Sequence, residues 1–161
     1  MLNPLSRAQL ETITLWYLVQ HSLSSFYKIS QHYAELANAI QQDQVPVWQA
    51  LGIHVNHVQR LKELHLPEAQ QKFQRCLQQI QQDSDFILLH SDPHYPQQLH
   101  PYVDKPPIIF GQGRPDTLLQ AQIAIVGSRK PSPHGRQVAY DFAFYLSEQG
   151  FYINSGLAHG I

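Results

Sequence analysis

Apolar positions recur at helical spacing through the first half of the chain. Ser6 with Gln9 fits a capping box, and Ile13, Trp16, Tyr17 and Gln20 follow on one face, which predicts a first helix. Shorter helices are predicted through SSFYKIS and QHYAELANAI. Pro46 suits the first turn of a helix ahead of VWQALGI, with Gly52 near its end. Further helices are expected over HVNHVQRLKELHL and over PEAQQKFQRCLQQIQQ, where Phe73, Leu77 and Ile80 share one face and glutamines fill the other. Residues 1–82 therefore read as an all-helical domain.

The pattern changes at Asp83. DFILL reads as a short buried strand, and the Pro- and Gly-rich run HSDPHYPQQLHPYVDKPPIIFGQGRPD predicts turns and extended chain. Within that run PIIF is a second strand, closed by Gly111. QIAIV is the clearest strand of the chain. A helix over SPHGRQVAYDFAFYLSEQG follows, capped by Ser132, with Pro133 in its first turn and Gly150 just past its end. Val138, Phe142, Tyr145 and Leu146 give it an apolar face. FYIN is the next strand, and it breaks into SGLAHGI.

Residues 122–155 thus form a strand, a helix and a strand. The connection is long enough for a crossover, which makes the two strands parallel. This is one unit of a Rossmann-like sheet. Such a sheet needs more strands and helices on both faces. The expected fold class is α/β: a helical domain (1–82) followed by the first part of a truncated Rossmann-like parallel sheet (83–161) in a piece of a longer protein.

Composition narrows the chemistry. The 161 residues suit one ordinary domain or two small ones. The formal net charge is -1, so a polyanion site must be a local cluster. The single cysteine, Cys76, excludes an internal disulfide and a multi-cysteine metal site, and its amphipathic helix marks it as a small core residue. Among ten histidines, His54 and His57 lie three apart and His90 and His94 flank a turn, but no carboxylate–cysteine set completes either pair. They read as surface histidines, and neither metal nor cofactor is expected. The N-terminus lacks the pattern of a signal peptide, and no apolar run is long enough to span a membrane, so a cytoplasmic protein is expected.

In open parallel sheets, ligands sit beyond the carboxyl ends of the strands. Both loops of the unit lie there. In GSRKPSPHGR, Gly127 lets backbone amides approach an anion, and Ser128 offers a hydroxyl. Arg129 offers a planar fork matched to phosphate oxygens, while Lys130, Arg136 and the start of the next helix add positive charge. The second loop supplies Ser155, Gly156 and Gly160. Adjacent strands would unite the two loops as one anion-binding floor. The first loop is neither a Gly-x-Gly-x-x-Gly turn nor a P-loop, since no Gly-Lys-Ser/Thr follows Gly127. Ser128 and Ser155 lack a Gly-x-Ser-x-Gly elbow and an evident base, which argues against a nucleophile. His134 and His159 also sit in these loops and would meet phosphate only when protonated.

The ordered set YPQQLHPYVDKPPIIFGQG, IAIVGSRKPSPHG and NSGLAHGI closely resembles the DNA-processing protein A family, also called DprA or Smf, over residues 95–161. The resemblance implies a bacterial cytoplasmic protein that binds single-stranded DNA during natural transformation. Such proteins protect incoming strands and help load RecA recombinase, through an extended Rossmann-like domain that forms a homodimer and is not known for catalysis. The family's DNA-binding arginine falls on Arg129, and its phosphate-facing glycines and serines on Gly127, Ser128, Ser155 and Gly156. Lys130 and Arg136 come from charge and position alone. Two departures stand out. The family motif continues past Ile161. The N-terminal region in many members resembles a sterile-alpha-motif (SAM-like) or helix-hairpin-helix module with a glycine-rich hairpin, whereas the comparable HSLSSFYKIS has no glycine. That argues against direct DNA contact by residues 1–82 and for packing or protein contact.

Tyr95, Tyr102 and Phe110 are candidates for stacking on bases, weighed against a place in local core. The runner-up function is a nucleotide phosphoribohydrolase of the lysine-decarboxylase-like group, which also binds phosphate at glycine-rich strand ends, although its Pro-Gly-Gly-x-Gly-Thr motif does not occur. A third reading is an inert truncated product, whose open sheet edge predicts poor solubility alone.

Overall fold

A computed structural model describes residues 4–156, 159 and 160. The chain divides into two compact units, Met1–Gly113 and Arg114–Ile161.

In the first unit, α1 spans Arg7–Leu18 and opens with the expected capping box. Ser6 Oγ accepts from the Gln9 amide at 3.2 Å, and Gln9 Oε1 accepts from the Ser6 amide at 3.0 Å. The helix stops short of Gln20, which helical spacing puts on its face. Gln20 and His21 instead take left-handed φ values of 49° and 62°, and the reversed chain lets Ser22 cap α2 (Leu23–Ser30). Of the stretch QHYAELANAI only Leu36–Ala39 is helical (α3). α4 (Val45–Ala50) carries Pro46 in its first turn, and Gly52, at φ 65°, turns the chain into α5 (Val55–Glu63), which His54 caps through Nδ1. α6 covers Pro67–Asp83. Trp48 anchors one core with Leu15, Leu18, Phe26, Ile29 and Leu61, and its indole N–H donates to the Ala39 carbonyl at 3.0 Å.

β1 (Phe86–Leu89) and β2 (Ile108–Gly111) pair antiparallel, with Leu89 opposite Ile108. Ile87, Leu89 and Ile108 join a second core with Ile13 of α1 and Phe73 and Leu77 of α6. The change in texture at Asp83 is thus a change of secondary structure, while this packing carries the first unit on to Gly113. Between the two strands the Tyr95 hydroxyl donates to the Pro106 carbonyl at 2.7 Å, and Lys105 Nζ donates to the His100 and Tyr102 carbonyls. Tyr95 is 1% exposed, and burial pushes its phenol up to about 12.

In the second unit, β3 (Gln122–Ala124) and β4 (Tyr152–Asn154) pair parallel across α7 (Pro133–Glu148), as the spacing predicts. Ser132 caps α7 by accepting from the Gly135 amide at 3.0 Å. No described residue from Arg114 onward is buried, and the apolar flank of α7 stays open, with Phe142 60% exposed. Two strands and one helix cannot enclose a core, which is why parallel sheets are covered on both faces. No helix among the described residues is long and apolar enough to cross a membrane.

Candidate functional site

Parallel pairing brings the two loops to one end of the sheet. Ala124 stands opposite Asn154, and the Ile125 amide donates to the Asn154 carbonyl at 3.0 Å, extending the ladder one residue. Gly127 follows two residues after Ile125, and Ser155 follows Asn154 directly. The loops leave neighbouring strands in the same direction.

They also touch. Gly160 takes φ 112°, and a side-chain carbon built on it would overlap the Ser128 carbonyl oxygen, at 2.7 Å from Arg129 Cα and 2.9 Å from the Arg129 carbonyl carbon. Only a residue without a side chain lets the second loop lie this close to the Ser128–Arg129 backbone. The positions Leu157, Ala158 and Ile161 of the SGLAHGI match lie outside the described residues.

Gly127, Ser128, Arg129 and Lys130 are all exposed, as are Arg136, Ser155 and Gly156. Among the described residues no ion pair holds the guanidinium of Arg129 or Arg136 or the ammonium of Lys130. The charges are therefore free to meet an anion. Ser128 Oγ accepts from the Lys130 amide at 3.1 Å. That bond removes one backbone donor from the loop and leaves the Ser128 hydroxyl proton to give. The first turn of α7 carries no acid. Arg136, Ser155 and Gly160 share the wall of an open cleft of about 510 Å³ with Ile125, Tyr140 and Ile153. Arg136, named from charge and position, thus lines the cleft at this sheet end, and Lys130 follows Arg129 directly in the first loop. His134 and His159 are exposed in the same loops.

Among the stacking candidates, Tyr95 is excluded by burial and its bond to Pro106, whereas Tyr102 is 60% exposed and Phe110 lies at the edge of exposure. All three belong to the first unit. That unit also holds a glycine turn, although HSLSSFYKIS has no glycine to make one. The turn lies between α4 and α5 at Gly52, where the Lys28 ammonium comes within 3.6 Å of the position a side-chain carbon would take. The dipeptide Gly52-Ile53, between a Pro46-started helix and a His54-capped one, was the signal available for it. Of the paired histidines, His54 is spent on the α5 cap, while His57 is buried with Nδ1 unpartnered.

The family model of DNA recombination-mediator protein A matches residues 86–161. Protein Smf of Synechocystis sp. is 30% identical over 138 residues, covering 83% of this chain and 34% of that protein. Protein Smf of Escherichia coli is 31% identical over 115 residues, 71% of this chain and 30% of its own length. The DNA processing protein DprA of Bacillus subtilis is 36% identical over 72 residues, 44% of this chain and 24% of its own length. The chain spans about a third or less of these relatives. No solved structure shows significant similarity. Motif order, strand–helix–strand topology and these matches agree: the chain belongs to the DNA-processing protein A (DprA/Smf) family.

Proposed function

We propose that the chain is part of a cytoplasmic protein that binds single-stranded DNA in natural transformation, protects incoming strands and helps load RecA recombinase. The matches to a recombination mediator and to DNA-processing proteins support a role in DNA processing and recombination. The observation that carries the binding mode is the seat of Gly160 against the Ser128–Arg129 backbone. It gathers exposed amides, hydroxyls and the Arg129 fork where two parallel strands end, which is the geometry a sugar-phosphate chain needs. Binding rather than catalysis is the reading of the serines, because among the described residues no base hydrogen-bonds to Ser128 or Ser155.

Charge sets the scale. Each phosphate neutralised on a single strand adds roughly 0.7 to the log–log salt slope. Arg129, Lys130 and Arg136 give one protomer only a modest slope, so useful affinity comes from repetition, as in a homodimer of the complete protein or along a strand. The test is Arg129→Ala and Arg129→Glu in the complete protein, with labelled single-stranded DNA followed by fluorescence anisotropy. Both substitutions should weaken binding by about tenfold or more, the loss of one charge-assisted hydrogen bond. Unchanged affinity at moderate salt, with a normal circular-dichroism spectrum, overturns the proposal.

A further inference from the structure

Two imidazoles stand at the strand-end loops. His134 lies in the first turn of α7, which Ser132 fixes by accepting from the Gly135 amide. Its neighbour Pro133 and the nearby Arg136 share the cleft wall with Ser155 and Gly160. His159 precedes Gly160, whose seat against the Ser128–Arg129 backbone carries it to the first loop. One peptide unit, about 3.8 Å between Cα atoms, separates it from that contact. Both residues are exposed, and among the described residues no hydrogen bond, ion pair or ring contact involves either imidazole.

We propose that His134 and His159 make this site sensitive to acid: as pH falls they add two cations, and single-stranded DNA binds more tightly. The inference rests on the DNA-binding role proposed for these loops and names a regulation of that site.

The charge around the two rings has one sign. Arg129, Lys130 and Arg136 are the cations of the first loop and the first turn of α7, and Arg136 and Tyr140 are the titratable side chains of the cleft wall. The acids between Arg114 and Ile161 are Asp116, Asp141 and Glu148. Asp116 lies in the turn Pro115–Leu119 ahead of β3 and pairs with Arg114. Asp141 Oδ1 accepts from Gln137 Nε2 at 2.8 Å, and Glu148 ends α7. None of the three sits on either loop.

Histidine is the side chain that changes charge between about pH 5 and pH 8. The three neighbouring cations oppose that charge in the protein alone, whereas the phosphates of a bound strand favour it. The complex therefore holds more protons than its separated parts, and by linkage acid favours the complex. Each ring that neutralises a phosphate adds roughly 0.7 to the log–log salt slope, as a lysine would.

The test is fluorescence anisotropy of the complete protein with labelled oligothymidylate at fixed ionic strength, from about pH 8 to about pH 6. Thymine and the phosphodiester keep their charge over that range, so the strand does not titrate. Affinity should rise about fivefold or more toward the acid end, and the salt slope should steepen there. His134→Gln and His159→Gln should each remove part of the rise, and the double substitution should hold affinity within about twofold across the range. His65→Gln, an exposed histidine of the first unit, should keep the rise in full. Acid unfolding would lower affinity, the opposite sign, and circular dichroism at each pH follows it. Affinity that stays level or falls in acid overturns the proposal, as does a rise that survives the double substitution. Arg129→Glu at about pH 8, above the range in which an imidazole gains charge, tests strand binding by itself. Loss of binding there without an acid rise in the parent leaves the strand-binding reading standing and removes this one.

Discussion

The seat of Gly160 against the Ser128–Arg129 backbone gives a sharp prediction for Gly160→Ala. Two costs are built into that change. A φ of 112° is one that side-chain-bearing residues rarely adopt, worth about 1–3 kcal/mol of backbone strain. The new methyl also overlaps the Ser128 carbonyl, which must withdraw by about an ångström to reach an ordinary separation. That shift drags Arg129 with it. Charge-assisted hydrogen bonds to phosphate are made at roughly 2.7–2.9 Å, so a displacement of that size breaks one, at about 1.5–3 kcal/mol. Single-strand affinity of the complete protein should therefore fall about ten- to one-hundredfold. The salt slope should flatten by about 0.7 for each phosphate that is no longer neutralised. Gly150→Ala is the control. Its φ of 86° imposes comparable strain, yet nothing lies within 4 Å of the added carbon, so affinity should hold. Fluorescence anisotropy over a salt series reads both quantities. If Gly160→Ala binds within twofold of the parent with an unchanged slope, the two loops do not act as one site.

Three further outcomes concern the first unit. Trp48→Ala should cost about 3–5 kcal/mol by urea denaturation, because it empties the centre of the larger core and orphans the Ala39 carbonyl. A loss below about 1 kcal/mol contradicts that packing. Ser6→Ala should cost about 1 kcal/mol from the lost cap, and the Gln9 amide should lose hydrogen-exchange protection. Burial, and then His54 and Arg60, lower the His57 pKa. Folding thus favours the neutral ring, so its contribution is fully present above the unfolded value of about 6.5 and is lost as pH falls through the lower folded value. His57→Leu should remove part of the decline in stability as pH falls below about 6.5, and an unchanged pH profile counts against the buried imidazole.

What the sequence made legible was local. The caps at Ser6 and Ser132, the prolines in the first turns of α4 and α7, and each strand core depend on residues within a few positions of each other. Parallel pairing of β3 and β4 was legible because a helix-length connection leaves little choice. What escaped was set by distant partners. Nothing near Asp83 announces that β1 pairs with β2 and joins α1 and α6 in one core. Tyr95 reads equally as a platform or as core until Pro106 accepts its hydroxyl. The end of α1 was overrun because Gln20 fits helical spacing, and only the left-handed pair at Gln20 and His21 cuts the pattern. At the site, Arg129 and its neighbours could be named from charge, but the close approach that joins the loops lies between Gly160 and Ser128, which no local pattern links.

Gln9 closes the cap of α1 with its oxygen and, with its nitrogen, donates to the Ile87 carbonyl at 2.9 Å. One side chain near the start of the chain thereby stitches the first helix to a strand far along it. The helical portion is consequently not a cassette that ends at its last helix. A gene fusion or a swap between relatives that joins at residue 82 would leave Ile13, Phe73 and Leu77 facing a foreign surface and the Gln9 side-chain amide without its acceptor. A junction placed after Gly113 carries the whole seam across intact.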